Sequence, residues 1–235
     1  MDPPAEPLRH VTLLSNRRAT PTSRLLRIGG ELSYRAGQAA WLAAEPDADL
    51  TPYSIASSPE ETARFGWLEF LVKVDGSSRF GGRVTSLARG APIVMRAPLG
   101  SFVFPDEPHE HRYLFVAGGT GIAPLRSMIR HAIDTHVPGA FRLLYAARTR
   151  AEFAYLTELR ALERARRLEI ILTLTGSGSR WPHARGRPDA SLLAPLVDTP
   201  DTLCFVCGPP AMLISVSDAL QRLGVPADRI RSETW

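Results

Sequence analysis

The unbroken apolar run Tyr113-Leu114-Phe115-Val116-Ala117 ends in Gly118-Gly119-Thr120-Gly121, at the start of a helical stretch over about 123–136. A run with no polar alternation marks a strand buried on both faces, which is the condition of a parallel sheet covered by helices. Further strands are expected at 141–145, 169–174 and 203–207. Between them lie helical segments at 151–166 and 210–223; the second repeats Leu213, Val216, Leu220 and Leu223 at helical spacing. Strands alternating with helices imply βαβ units and a parallel sheet.

The residues before this run follow another rule. Short β-type runs at 11–14, 25–28, 67–74, 91–96 and 101–104 are separated by Gly and Pro, with one short helix expected at 83–89. That spacing predicts a small antiparallel barrel. The pattern changes at Pro105-Asp106-Glu107-Pro108, so the expectation is a barrel domain over 1–108 and an α/β domain over 109–235. A chain of 235 residues accommodates two domains of about a hundred each.

Composition narrows the function classes. The net charge of +4 is spread among acidic residues rather than gathered in a tail, which gives little support to nucleic-acid binding. Of the 28 basic residues only Lys73 is lysine, and arginine forks suit phosphate and carboxylate. No apolar run reaches the roughly 20 residues that span a bilayer. The first residues, Met1-Asp2-Pro3-Pro4, lack the basic and apolar regions of a secretory signal, so a cytoplasmic setting is expected. Cys204 and Cys207 are the only cysteines. They lie in a strand rather than at a helix start and are too few for a zinc site or an iron–sulfur cluster, so the reading is one core and one strand-end thiol and no metal.

Four segments can carry chemistry. Gly118-Gly119-Thr120-Gly121 serves either tight packing or the close approach of a pyrophosphate to a helix start; its spacing is not the GxGxxG fingerprint. Cys207-Gly208-Pro209-Pro210 is a second strand-to-helix turn, and both should open at one edge of the sheet as a cleft. Thr51-Pro52-Tyr53-Ser54 offers a ring to stack on a planar heterocycle and a hydroxyl to bond it, or is an ordinary strand with Tyr53 and Ile55 inward. Gly81-Gly82-Arg83-Val84-Thr85 opens a short helix as a phosphate cradle or a plain capped start.

In this order the segments resemble the ferredoxin–NADP reductase family over nearly the whole chain. The resemblance implies an antiparallel Greek-key flavin-binding barrel followed by a five-stranded parallel nucleotide-binding domain. It implies FAD and NADPH or NADH as cofactors, with hydride passing to the flavin and electrons then leaving to an iron–sulfur or haem protein. Tyr53 would pack on the flavin and Ser54 would lie near its N5, within a flavin site that includes Thr51, Pro52, Val72 and Val74. Gly81, Gly82, Arg83, Val84 and Thr85 would form the phosphate loop. Gly119, Thr120 and Gly121 would hold the nicotinamide dinucleotide with Cys207, Gly208, Pro209 and Met212, and Arg148, Arg180 and Arg185 would meet an adenosine 2′-phosphate. Ser54, Cys207 and Glu233 would line the transfer point, and Trp235 would cover the flavin.

One position departs from the family pattern. The arginine of its Arg-x-Tyr-Ser signature, which holds the flavin phosphate, is Thr51 here. Arg79 or Arg83 is the candidate replacement. The departure also leaves room for a reductase that uses free flavin as a diffusible substrate, and for a subunit that binds nucleotide without turnover.

Overall fold

The computed structural model describes residues 7–45, 49–74, 76, 78–176 and 181–234, which form two compact units. One unit contains the residues up to Phe104 together with Arg126–His131; the other contains the remainder.

The first unit is a barrel of six antiparallel strands: β1 (Arg9–Thr20), β2 (Ser23–Gly29), β3 (Ala39–Ala43), β4 (Thr51–Ser54), β5 (Trp67–Lys73) and β6 (Pro92–Leu99). Their order is β4-β3-β6-β1-β2-β5, and a bridge between Ile55 and Phe70 brings the two ends together. Alternation along β5 and β2 sends Leu68, Phe70, Val72, Leu26 and Ile28 inward to a core shared with Leu13, Leu42, Ile93 and Met95. Each large side chain so buried contributes about 1.5–3 kcal/mol.

Two expectations for this half change. The helix foreseen at 83–89 is instead α2 (Arg79–Arg83), followed by a tight turn at Val84–Ser86. Ser78 caps it early by accepting the Gly81 N–H at 2.9 Å. It stops early because Asn16 donates to the carbonyls of Val84 and Leu87 at 2.7 and 2.8 Å. Residues 101–104 form no strand, although Phe102, Val103 and Phe104 are buried: the chain turns at Gly100 (φ +92°), and the Phe104 N–H donates to the Ala36 carbonyl at 3.0 Å. Helix α1 (Pro59–Phe65) was not foreseen, although Ser58 and Glu61 form a reciprocal capping box at its start.

The second unit is a parallel sheet with the order β10-β9-β8-β7-β11-β12. Its strands are β7 (Arg112–Gly118), β8 (Ala140–Ala147), β9 (Glu169–Leu174), β10 (Ala184–Arg185), β11 (Leu203–Gly208) and β12 (Ile230–Thr234). The sheet therefore has the five strands expected plus the two-residue β10, which pairs with Thr173 and Leu174. The helices that follow its strands are α3 (Ile122–Asp134), whose residues Arg126–His131 belong to the barrel unit, α4 (Leu156–Arg164), α5 (Ala190–Leu193) and α6 (Pro210–Arg222). Helix α4 starts later than the foreseen 151, because Tyr155 is left-handed (φ 59°) and the Ala154 N–H bonds the Tyr145 hydroxyl at 3.2 Å. No helix among the described residues is long and apolar enough to cross a membrane.

Candidate functional site

Strands β7 and β11 are neighbours, with Ala117 opposite Cys207. The two glycine turns that follow them therefore leave the same edge of the sheet side by side, as their spacing implied. The approach is too close for side chains. A Cβ on Gly121 would run into the Cys207 carbonyl, and one on Gly118 would lie 2.8 Å from the Met212 sulfur. On Gly208 it would lie 2.5 Å from the Met212 methyl. Gly119 is left-handed (φ +56°) and exposed, with open space beside it, and Thr120 is half-exposed. Met212 thus fills the seam between the turns.

Below this seam the Tyr145 ring is fully buried. Its hydroxyl donates to the Gly119 carbonyl at 3.0 Å and accepts the Ala154 N–H. Burial pushes this phenol far above its ordinary pKa. The ring meets Phe153 edge-on at 5.0 Å, and Phe153 stacks on Trp181 at 5.7 Å. Nothing in the linear sequence marked Tyr145 as a support of the glycine turn.

Cys207 and Glu233 are register partners on β11 and β12, so two of the foreseen transfer-point residues stand side by side. Glu233 is partly exposed, whereas Cys207 is fully buried, its carbonyl packed against Gly121. Both cysteines are unbridged, and burial pushes the Cys204 thiol up to about 12. Arg148 follows β8, and Arg185 in β10 lies opposite Leu174 at the end of β9. Both are exposed at the strand ends from which the glycine turns also leave. Arg180 falls outside the described residues, as does Trp235.

In the barrel unit, the Tyr53 hydroxyl is 2.6 Å from Ser78 Oγ, and its ring is tilted against Phe80 at 5.5 Å. A Cβ on Gly81 would collide with the Lys73 carbonyl and lie 3.4 Å from the Tyr53 hydroxyl. Tyr53, Gly81 and the previously unsuspected Ser78 therefore form one cluster. Thr51 and Pro52 are half-exposed on β4, Ser54 is buried, and Gly82 and Thr85 are exposed. Val72 and Val84 are fully buried in the barrel core, where alternation and the turn after α2 point their side chains inward. Val74, past the end of β5, is only partly buried. Arg83 pairs with Glu45 at 2.7 Å and Arg79 with Asp49 at 3.2 Å, both on the surface.

The segment after Ser54 is held by a buried polar network within the same unit. Tyr34 donates to the Ser57 carbonyl at 2.9 Å, Ser127 donates to it at 2.6 Å, and Arg126 donates to the Ala56 carbonyl at 2.7 Å. Arg126 also forks onto Glu61 at 2.8 and 3.0 Å. Burial alone would raise the Glu61 carboxyl, but its hydrogen bonds and charge contact with Arg126, the Ser58 N–H and Arg130 together hold it below the usual range.

A cavity of about 340 Å³ lies at the start of the parallel strands, lined by His109, Glu110, His111, Arg112, Asp201 and Arg229. Its lining residues precede or begin β7, β11 and β12, so the hollow lies at the other end of the strands from the glycine turns; within it Arg229 donates to the Asp201 carbonyl at 2.9 Å and Arg112 pairs with Asp198 at 3.5 Å. Among the described residues no group of three or more His, Cys, Asp and Glu is placed to hold a metal.

Residues 115–218 match the model of the oxidoreductase NAD-binding domain. The oxidoreductase NAD-binding domain-containing protein 1 of Danio rerio is 33% identical over 87% of this chain and 82% of its own. Ferredoxin–NADP reductase B of Sorangium cellulosum is 33% identical over 78% of this chain and 77% of its own. The chain belongs to the ferredoxin–NADP reductase family. Among solved structures, an Amycolatopsis cytochrome P450 reductase superposes with a TM-score of 0.86 at 26% identity, over 97% of this chain and 70% of that one. This member is a reductase, and the cofactors of its family are FAD and a nicotinamide dinucleotide. Its residues fit that pair: Gly119 leaves open space beside bare backbone, as the approach of a pyrophosphate requires, and Tyr53 sets an anchored ring beside a side-chain-free Gly81.

Proposed function

We propose that this reductase takes hydride from NAD(P)H onto FAD and delivers electrons to a separate iron–sulfur or haem protein. The observation that carries the reading is the pair of glycine turns meeting at one sheet edge, with Cys207 and Glu233 in register beside them. The α/β half, 109–235, holds the nucleotide, and the barrel half, 1–108, holds the flavin. Bound FAD supplies the conversion between a two-electron hydride and single electrons.

The chain's own residues bind, orient and exclude water. Gly119, Thr120, Gly121 and Gly208 present backbone to the dinucleotide, while Pro209 and Met212 shape the seam. Tyr53, fixed by Ser78, offers a ring face to the flavin; Gly81, Gly82, Arg83 and Thr85 surround its phosphates. Ser54 and Glu233 supply hydroxyl and carboxylate at the transfer point. Arg148 and Arg185 favour NADPH by meeting its 2′-phosphate. A cytoplasmic setting accords with two unbridged thiols.

The test is the visible spectrum of the purified protein, anaerobically, before and after NADPH or NADH. Flavin bands that bleach on nucleotide addition are expected. A colourless protein that also fails to take up added FAD would sink the reading. One observation favours a second one, free flavin as diffusible substrate: Thr51 lacks the signature arginine's charge, and Arg79 and Arg83 are already paired. Activity only in the presence of excess flavin would select it.

A further inference from the structure

We infer that Tyr145 is a positioning residue for the nicotinamide dinucleotide, setting the Gly119 turn through its buried hydroxyl. The inference rests on the reading of that turn as the dinucleotide site.

A left-handed glycine with no side chain and open space beside it has no packing of its own to hold its peptide plane. The Gly119 carbonyl is held from within the turn by the Ile122 N–H, which it shares with Thr120, and from beneath, outside the turn, by the Tyr145 hydroxyl at 3.0 Å. The hydroxyl is bonded at both ends, since the Ala154 N–H donates to it at 3.2 Å. With its one proton directed to Gly119, the phenol cannot rotate away without leaving two buried donors, its own O–H and the Ala154 N–H, unpaired. Fixing the carbonyl fixes the plane of its own peptide, whose N–H belongs to Thr120. The N–H groups at this helix start are then aimed before a pyrophosphate arrives, which lowers the ordering cost of binding.

The sheet makes this placement unavoidable. Tyr145 lies opposite Ala117 on β8, one residue short of the turn, and Phe153 packs edge-on against its ring. The hydroxyl that holds Gly119 also accepts the Ala154 N–H just before α4, so the phenol ties the turn to the segment carrying Phe153 and, through it, Trp181.

The test compares Tyr145→Phe with wild type by titrating the FAD-loaded protein with NADPH and NADH. Amide exchange is followed across 118–122 with and without nucleotide. The variant should bind its better nucleotide about tenfold more weakly, the equivalent of one buried hydrogen bond. Its turn amides should exchange faster, and kcat at saturation should change little. Phe153→Leu, which removes ring contact but keeps both hydroxyl bonds, should retain wild-type affinity. If Phe153→Leu weakens binding as much as Tyr145→Phe, the effect is packing and the inference falls. It falls also if the Ala154 amide of the wild type exchanges as fast as an open loop, a measurement that needs no variant to fold. If nucleotide leaves 118–122 unprotected in the wild type, the dinucleotide reading itself has failed; protection in wild type and Tyr145→Phe alike overturns the Tyr145 role alone.

Discussion

Thr51 and Glu61 show how single side chains divide binding from stability in the barrel unit. Thr51 stands on β4 two residues before the anchored Tyr53 and has no charge to offer a phosphate. Placing a guanidinium there adds a charge-assisted bond worth about 1.5–3 kcal/mol. Thr51→Arg should therefore tighten FAD at least tenfold in a fluorescence titration, while the nucleotide constant stays put; unchanged FAD affinity would show that Arg83 or Arg79 already does this work. Glu61 acts on stability instead. It caps α1 and grips Arg126 from a nearly buried position, so removing its charge with Glu61→Gln should cost about 3–5 kcal/mol, read as the urea midpoint. Its folded pKa lies below the unfolded value, so its contribution is complete above the ordinary carboxylate range and is lost as pH falls through the folded value. Between pH 7 and 3 the wild type should lose more stability than Glu61→Gln, whose profile is flatter.

Between elements, backbone proximity sets the site. Gly121 has no room for a methyl group, because the obstacle is the carbonyl of Cys207, which cannot swing aside; at Gly208 the nearest obstacle is the flexible end of Met212. Gly121→Ala should thus cost about 1–3 kcal/mol in thermal melts and abolish measurable nucleotide binding, with Gly208→Ala milder on both counts. Equal costs would mean that Met212 is as rigid as backbone. These contacts were only partly legible in the linear chain. The apolar run of β7 and the two glycine turns announce the parallel sheet and its ligand edge, because burial on both faces and close backbone approach each leave a compositional mark. The barrel strands were readable by alternation, yet alternation alone did not separate Tyr53, near the surface, from Val72, lost in the core. The limits of α2 and α4 were hidden, since they depend on Asn16 and Tyr145 reaching across from distant strands. Side chain-to-backbone bonds at such separations have no periodicity to detect.

Over the whole molecule the charge field is positive, with a net charge of +4 carried on the basic side almost wholly by arginine. Any anionic nucleotide is drawn to such a surface, so salt alone should slow both NADPH and NADH. The comparison between the two removes that shared attraction, because they differ only at the 2′-phosphate. If Arg148 and Arg185 meet that group, kcat/KM for NADPH should fall more steeply with ionic strength than kcat/KM for NADH. The gap between the slopes should close in the Arg148→Ala/Arg185→Ala double variant, while FAD affinity, which the proposed function assigns to the other unit, stays unchanged. Parallel slopes in the wild type would assign the positive field to general attraction and leave the two arginines without a part in choosing the nucleotide. A gap that survives the double variant would move the choice to other residues of the nucleotide unit.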